Sequence, residues 1–266
     1  CTREVEPPAI VYVLSYFSLF HSLFYLLSVP VDLLAVMAHP DDAELLCGGT
    51  LARAADHGHR TGILDLTRGE LGTRGSPELR AREAAAAASV LGVAERVNAG
   101  LRDGHVANDD ASRRTVVEQI RAFRPRVVLL PYITSRHPDH HMAAALVRDA
   151  CFLAGLRNYS GAGEPFRPTK VCYALSFRED PVKPTFVVDI TAQFERKLAA
   201  IACFASQFTG VTQAGEAYPN GQTFTELIAS QSSHYGSLIR ARYGEPFWMR
   251  ETMAVEDIVN LGVESL

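Results

Sequence analysis

From Val31 onward the chain alternates short apolar runs with segments of helical spacing. VDLLAVMA (31–38), RTGILDLT (60–67) and RVVLLPY (126–132) read as strands buried on both faces of a parallel sheet. RVNAG (96–100) is a weaker strand. Helices are predicted between them. GGTLARAADHGH (48–59) stops at Gly58, and GSPELRAREAAAAASVLG (75–92) has Ser76 as N-cap, Pro77 in the first turn and Gly92 as its stop. Residues 110–124 form an amphipathic helix ending before Pro125, and HHMAAALVRDACFLAGL (140–156) is another. Further on, KVCYALSF (170–177) and TFVVDI (185–190) predict strands. TAQFERKLAAIACFASQF (191–208), capped by Thr191, and TFTELIASQSSHYGSLIRARYG (223–244) predict helices. Strand–helix alternation implies an α/β fold with a parallel sheet and right-handed crossovers. There is no internal repeat or low-complexity tract.

The first thirty residues break this pattern. Ala9 to Val29 carries no charged residue over 21 positions, long enough as a helix to cross a bilayer core of about 30 Å. It also holds four serines and His21, and its flank (Arg3, Glu4, Glu6) is not basic, a poor match to a signal peptide. Three readings of residues 1–30 stand: a membrane anchor, a translated upstream stretch that is not native protein, or a helix packed on the domain. The second is preferred, which leaves 31–266 as the working domain and a cytoplasmic location, with membrane anchoring as the alternative.

Composition narrows the function. Hydrophobic residues make up 47% of 266, enough for a large core, and 21% charge argues against disorder. The net charge of -4 without a polybasic run gives no electrostatic support to a nucleic-acid partner. The five cysteines (Cys1, Cys47, Cys151, Cys172, Cys203) are widely spaced and have no C-x-x-C pair, so buried reduced thiols are expected.

Two segments concentrate chemistry at the carboxyl ends of predicted strands, where parallel sheets bind ligands. AHPDDAE (38–44) holds one imidazole and three carboxylates, and RHPDHH (136–141) holds three imidazoles and a carboxylate. Imidazole nitrogen and carboxylate oxygen suit catalytic zinc, which takes three protein ligands. Prolines after His39 and His137 stiffen both turns. Asp41 and Asp42 are adjacent and invite a division of labour, one on the metal and one as general base. The competing reading is a capping Asp pair at a helix start.

AHPDDAE, GELGTRGSPELRAREA and PYITSRHPDH resemble the LmbE-like, or PIG-L, de-N-acetylase family, over Val31 to about Arg250. AHPDDAEL with the following CGGTLA, ITAQFERKLAAIACFASQF and HYGSLIRARYGEPFW resemble its bacillithiol-biosynthesis deacetylases. The resemblance implies a Rossmann-like single domain, with a mostly parallel sheet and helices on both faces, and one zinc per chain; iron(II) could take the same ligands. It matches His39, Asp42 and His140 to the metal ligands and Asp41 to the base. His137 matches the histidine that serves the oxyanion or the leaving amine, Arg167 an arginine near the oxyanion, and Arg80 a substrate contact. It departs at Leu46, where this subgroup usually has glycine, and at Arg102. The implied activity is removal of the N-acetyl group from N-acetylglucosaminyl malate, by an enzyme of homo-oligomeric kind. The malate carboxylates suit Arg80, Arg167, Arg68 and Arg74. Competing functions are de-N-acetylation of a phosphatidylinositol- or inositol-linked conjugate, a metal phosphoesterase, and a non-catalytic sugar binder.

Some residues have plainer roles. His141 is expected to face away from the metal, and His57, His59 and His105 to be exposed. His234 could reach a site rim or a subunit contact. Glu44 or Asp103 could orient a ligand histidine. Trp248 is expected in the core or an interface.

Overall fold

The computed structural model describes residues 30–175, 182–208 and 223–263. Five parallel strands come first: β1 (Leu33–Met37), β2 (Thr61–Thr67), β3 (Glu95–Leu101), β4 (Val127–Pro131) and β5 (Lys170–Ala174). Two more, β6 (Phe186–Asp189) and β7 (Gly244–Trp248), complete one seven-stranded sheet of order β3-β2-β1-β4-β5-β7-β6. β7 runs antiparallel to both of its neighbours. The helices are α1 (Asp42–Asp56), α2 (Pro77–Leu91), α3 (Asp110–Phe123), α4 (Pro138–Ala154), α5 (Phe194–Ala202), the single turn α6 (Ala205–Phe208) and α7 (Phe224–Ser237).

Alternation along β1 distributes its side chains to two cores, as a pleated strand requires. Leu34, Val36 and Ala38 join Val116, Ile120, Phe123, Leu146 and Val147 of α3 and α4. Ala35 and Met37 face Ala43, Cys47 and Leu51 of α1. Helices therefore cover both faces, and the chain is a single α/β domain. Because β1 lies between β2 and β4, the loops leaving β1 and β4 diverge and open a crevice at their carboxyl ends, the topological switch point.

The caps follow local chemistry. Ser76 accepts from the Leu79 N–H at 3.2 Å, Pro77 opens α2, and Gly92 closes it at φ 75°. Thr223 and Glu226 form a reciprocal capping box on α7.

The structure corrects four boundaries. α1 starts at Asp42, six residues earlier than the spacing predicts, and is kinked at Cys47 (φ -147°). The kink frees backbone groups, and distant charges satisfy them. Glu245 of β7 accepts from the Gly49 and Thr50 N–H groups at 2.9 and 2.7 Å. Lys197 of α5 donates to Leu45 O at 2.8 Å and to Glu245 at 2.6 Å. The 191–208 helix is broken at Cys203–Phe204, and Thr191 lies in a 3-10 turn rather than capping it. There its N–H donates to the Asp189 carboxylate and its hydroxyl accepts from Tyr243 N–H. The predicted strand at 170–177 ends at Ala174. The predicted helix at 223–244 stops at Ser237, and the chain reverses through Arg240 (φ 58°) into β7. A Cβ at Gly236 would stand 2.8 Å from Ala241 O and Tyr243 N, so only glycine allows the reversal.

Among the described residues no helix is long and apolar enough to cross a membrane. The apolar segment at 9–29 lies outside the described residues. Cys47, Cys151 and Cys172 are buried free thiols, and Cys203 is half-buried.

Candidate active site

The turn leaving β1 is built by its own first polar residues. Ala38 O is held by the Thr67 N–H and hydroxyl, both at 3.0 Å. His39 N–H donates to Asp42 Oδ2 at 2.8 Å, closing the His-Pro-Asp-Asp turn. Asp41 occupies the position before α1 at φ 121°, a backbone state that L residues rarely adopt, and makes no capping bond. Such strain costs about 1–3 kcal/mol and collects at functional sites. The carboxyl of Asp41 instead meets Arg80 of α2, Oδ2 to Nη2 3.1 Å, with both side chains buried. The capping alternative is therefore set aside for Asp41.

His39 Nδ1 and His140 Nε2 lie 3.3 and 3.1 Å from the same oxygen, Asp42 Oδ2. The other ring nitrogen of His39 meets two carboxylates, Asp103 Oδ1 at 3.1 Å and Asp139 Oδ2 at 3.2 Å. Burial alone would lower the His39 pKa, but hydrogen bonds to Asp103, Asp139 and Asp42 overcome it and push it up to about 12. Burial likewise opposes ionisation of Asp42, yet His140 and His39 hold its carboxyl well below the usual range. For Asp41 burial wins: despite Arg80 beside it, its pKa is pushed up to about 7, with Asp42 adding to the rise.

His137 caps α4, its Nδ1 accepting from the Asp139 N–H at 3.2 Å. Its ring packs against His39 and His140 with centroids 4.8 and 4.9 Å away, and burial followed by these two rings lowers its pKa. The nitrogens of His39, His137 and His140 lie within 4.8 Å of one another, as do the donors of His39, Asp103 and Asp139. The latter two carboxylates already serve the backbone. Asp139 accepts from Gly104 and Val106 N–H, and Asp103 from Leu71 N–H.

His39, Asp41, Asp42, Asp103, His137 and His140 line a cavity of about 510 Å³ that also takes in Leu45, Leu46, Leu71, Ser135 and Arg136. Of the four arginines expected from the sequence, only Arg80 lines it. A Cβ at Gly69 would collide with the Arg80 guanidinium, which explains glycine there (φ 66°). Arg68 is exposed in a separate hollow with Pro40, Asp65 and Asn98. Arg74 is half-buried, its carbonyl accepting from Gln207. Arg167 is not brought to the site. It stacks on Phe152 (4.3 Å) and donates to Phe152 O, on the order of 20 Å down α4 from the histidines.

Asp103 contacts the His39 ring, whereas Glu44 does not: it is buried against Arg96 (2.6 Å), which also grips Asp65. Asp139, inside the HPDH motif, was the orienting carboxylate missed; its position two residues after His137 was the available signal. Gln207 was also missed. It accepts from Arg80 Nη2 at 2.6 Å, and no local pattern announces a contact across 127 residues. His57, His59 and His105 are exposed, and His141 bonds Ile133 O away from the cavity. His234 is exposed and does not line the cavity. Trp248 packs on Tyr132 and Tyr173.

The family model described as GlcNAc-PI de-N-acetylase (PIG-L) matches residues 34–151, the span holding His39, His137 and His140. Diacetylchitobiose deacetylase of Thermococcus kodakarensis is 30% identical over 230 residues, 80% of each chain. The 1D-myo-inositol 2-acetamido-2-deoxy-alpha-D-glucopyranoside deacetylase of Rhodococcus jostii is 28% identical, over 80% of this chain and 93% of its own. Among solved structures, a conserved protein from Thermus thermophilus superposes with a TM-score of 0.76 at 40% identity, covering 85% of this chain and 98% of its own.

Proposed function

Because the chain belongs to the PIG-L (LmbE-like) family and is a hydrolytic N-deacetylase, we propose that it frees the amine of an N-acetylglucosamine conjugate at a single zinc site made by His39, Asp42 and His140. The observation that carries this reading is the convergence of two imidazole nitrogens on one oxygen of Asp42, beside a buried and strained Asp41. Two histidines and a carboxylate are a donor set that catalytic zinc takes, and iron(II) fits it as well. The outer carboxylates Asp103 and Asp139 fix the His39 ring as metal-ligating histidines require.

A metal ion held there supplies Lewis-acid chemistry, polarising the amide carbonyl and acidifying water. The chain's own groups do the rest. Asp41, buried next to the ligand set and paired with Arg80, takes the proton from the attacking water and returns it to the leaving nitrogen. His137 has its Nδ1 engaged by a backbone N–H, so its neutral ring carries the proton on Nε2, free to serve the carbonyl oxygen or the departing amine. Arg80 keeps Asp41 ionisable. The amide C–N bond breaks, the water oxygen joins the acyl carbon, and the amine departs with a proton.

For the aglycone we propose malate. The likeness to bacillithiol-biosynthesis deacetylases supports it, as do the cationic side chains Arg80 and Arg136 on the same cavity. Acetate release from N-acetylglucosaminyl malate, the inositol conjugate and diacetylchitobiose, compared by kcat/KM, tests it. A preference for malate of at least about 10-fold is expected, and a preference for either neutral conjugate would contradict it.

A further inference from the structure

We propose that Leu46 sets the length of the acyl group the enzyme removes, as a partition between the catalytic cavity and a second, small space that it also lines. The inference rests on the N-deacylase reading of the site. Leu46 stands four residues after Asp42, one helical turn along α1, and therefore on the same face of the helix. It is 6% exposed and lines the catalytic cavity together with Leu45.

The buried Leu46 and the half-buried Leu45 form an apolar wall of the cavity. Much of the remaining lining is polar, the buried Arg80 together with the more exposed Ser135, Arg136 and His137. An acetamido group at Asp42 has two sides, a sugar rich in hydroxyls and a methyl. The polar mouth suits the sugar, and the leucine wall suits the methyl.

Leu45 and Leu46 also line a second space of about 20 Å³, walled by Leu175, Ile228 and Tyr235 of α7, and Pro246 of β7. That volume holds little more than one water-sized sphere. Its charged members are matched to each other, Lys197 to Glu245 at 2.6 Å, and Gln231 and Ser232 join the apolar side chains in its wall. Truncating Leu46 would join this space to the catalytic cavity and extend the methyl wall into a channel. A longer acyl chain would then run under α7.

The test measures amine release from N-acetyl-, N-propionyl- and N-butyrylglucosamine. One methylene in an apolar pocket changes kcat/KM by about 10- to 200-fold. The wild-type protein should favour acetyl over butyryl by at least about 10²-fold. Leu46→Ala should raise the butyryl-to-acetyl ratio by 10-fold or more, and Leu46→Phe should lower it. Butyrate should also inhibit Leu46→Ala more strongly than it inhibits wild type, a readout independent of turnover. Leu46→Val, which removes less volume, should raise the propionyl ratio even if Leu46→Ala fails to fold. A folded Leu46→Ala or Leu46→Val with the wild-type acyl profile overturns the proposal. No amine from any acetylated substrate in the wild type would instead sink the deacylase reading beneath it.

Discussion

Replacing Arg80 by methionine should move the acid limb of the pH–rate profile toward alkaline pH. Arg80 Nη2 stands 3.1 Å from Asp41 Oδ2, and both side chains are buried. At that separation and an effective dielectric of about 20, the attraction is about 5 kcal/mol, an upper bound on what the cation does for the ionised carboxylate. Shifts beside an arginine usually amount to about 1–3 pKa units. The sign is fixed by the role of Asp41. As a base it works ionised, burial already lifts it from 3.8 to about 7, and Arg80 is the main opposing influence. Without the cation the limb should move up by about 1–3 pH units, with kcat/KM on its acid side falling about 10- to 10³-fold and recovering in alkali. Arg80→Lys keeps the charge and should shift it less. The assay is kcat/KM for acetate release between pH 5 and 10. A raised KM with an unmoved acid limb would refute this reasoning and leave Arg80 as a substrate contact alone.

Three further outcomes are expected. Asp41→Ala should lower turnover by about 10²–10⁴ while metal content measured by mass spectrometry stays at one per chain; near-normal turnover would rule out Asp41 as base. Asp139→Asn, which weakens the grip on His39 Nε2, should reduce metal affinity by about 10- to 100-fold in competition with a chelating dye. Glu245→Gln leaves Lys197 buried without its counter-charge and weakens the acceptor at the α1 kink. Urea unfolding should show a loss of about 3–5 kcal/mol, and a change under 1 kcal/mol would mean the pair does not secure α1.

The parallel half of the sheet was legible because most of its strands are continuous apolar runs, and the loops that follow β1 and β4 each carry a histidine-proline pair. That was enough to bring His39, Asp42, His137 and His140 to one edge. β7 was not legible: Pro246 sits in its middle and Gly244 at its start, residues that usually argue against a central strand. The kink in α1 was hidden for a related reason, since its orphaned groups are satisfied by Lys197 and Glu245, about 150 and 195 residues away. Arginines read worst. A short likeness around Arg167 carried no information about which end of α4 it would occupy, and loops hold Arg68 and Arg74 outside the cavity lining. Charged side chains leave no periodic trace, so their partners emerge only from packing.

The most direct measurement is metal content and acetate release, made together on wild type and on His140→Ala and His137→Ala. The wild-type protein should hold one ion per chain and lose deacetylation on chelation. His140→Ala should lose both the ion and activity, and His137→Ala should keep the ion while turning over slowly. Full metal occupancy in His140→Ala, or loss of the ion in His137→Ala, would contradict the assignment of His39, Asp42 and His140 as the ligand set.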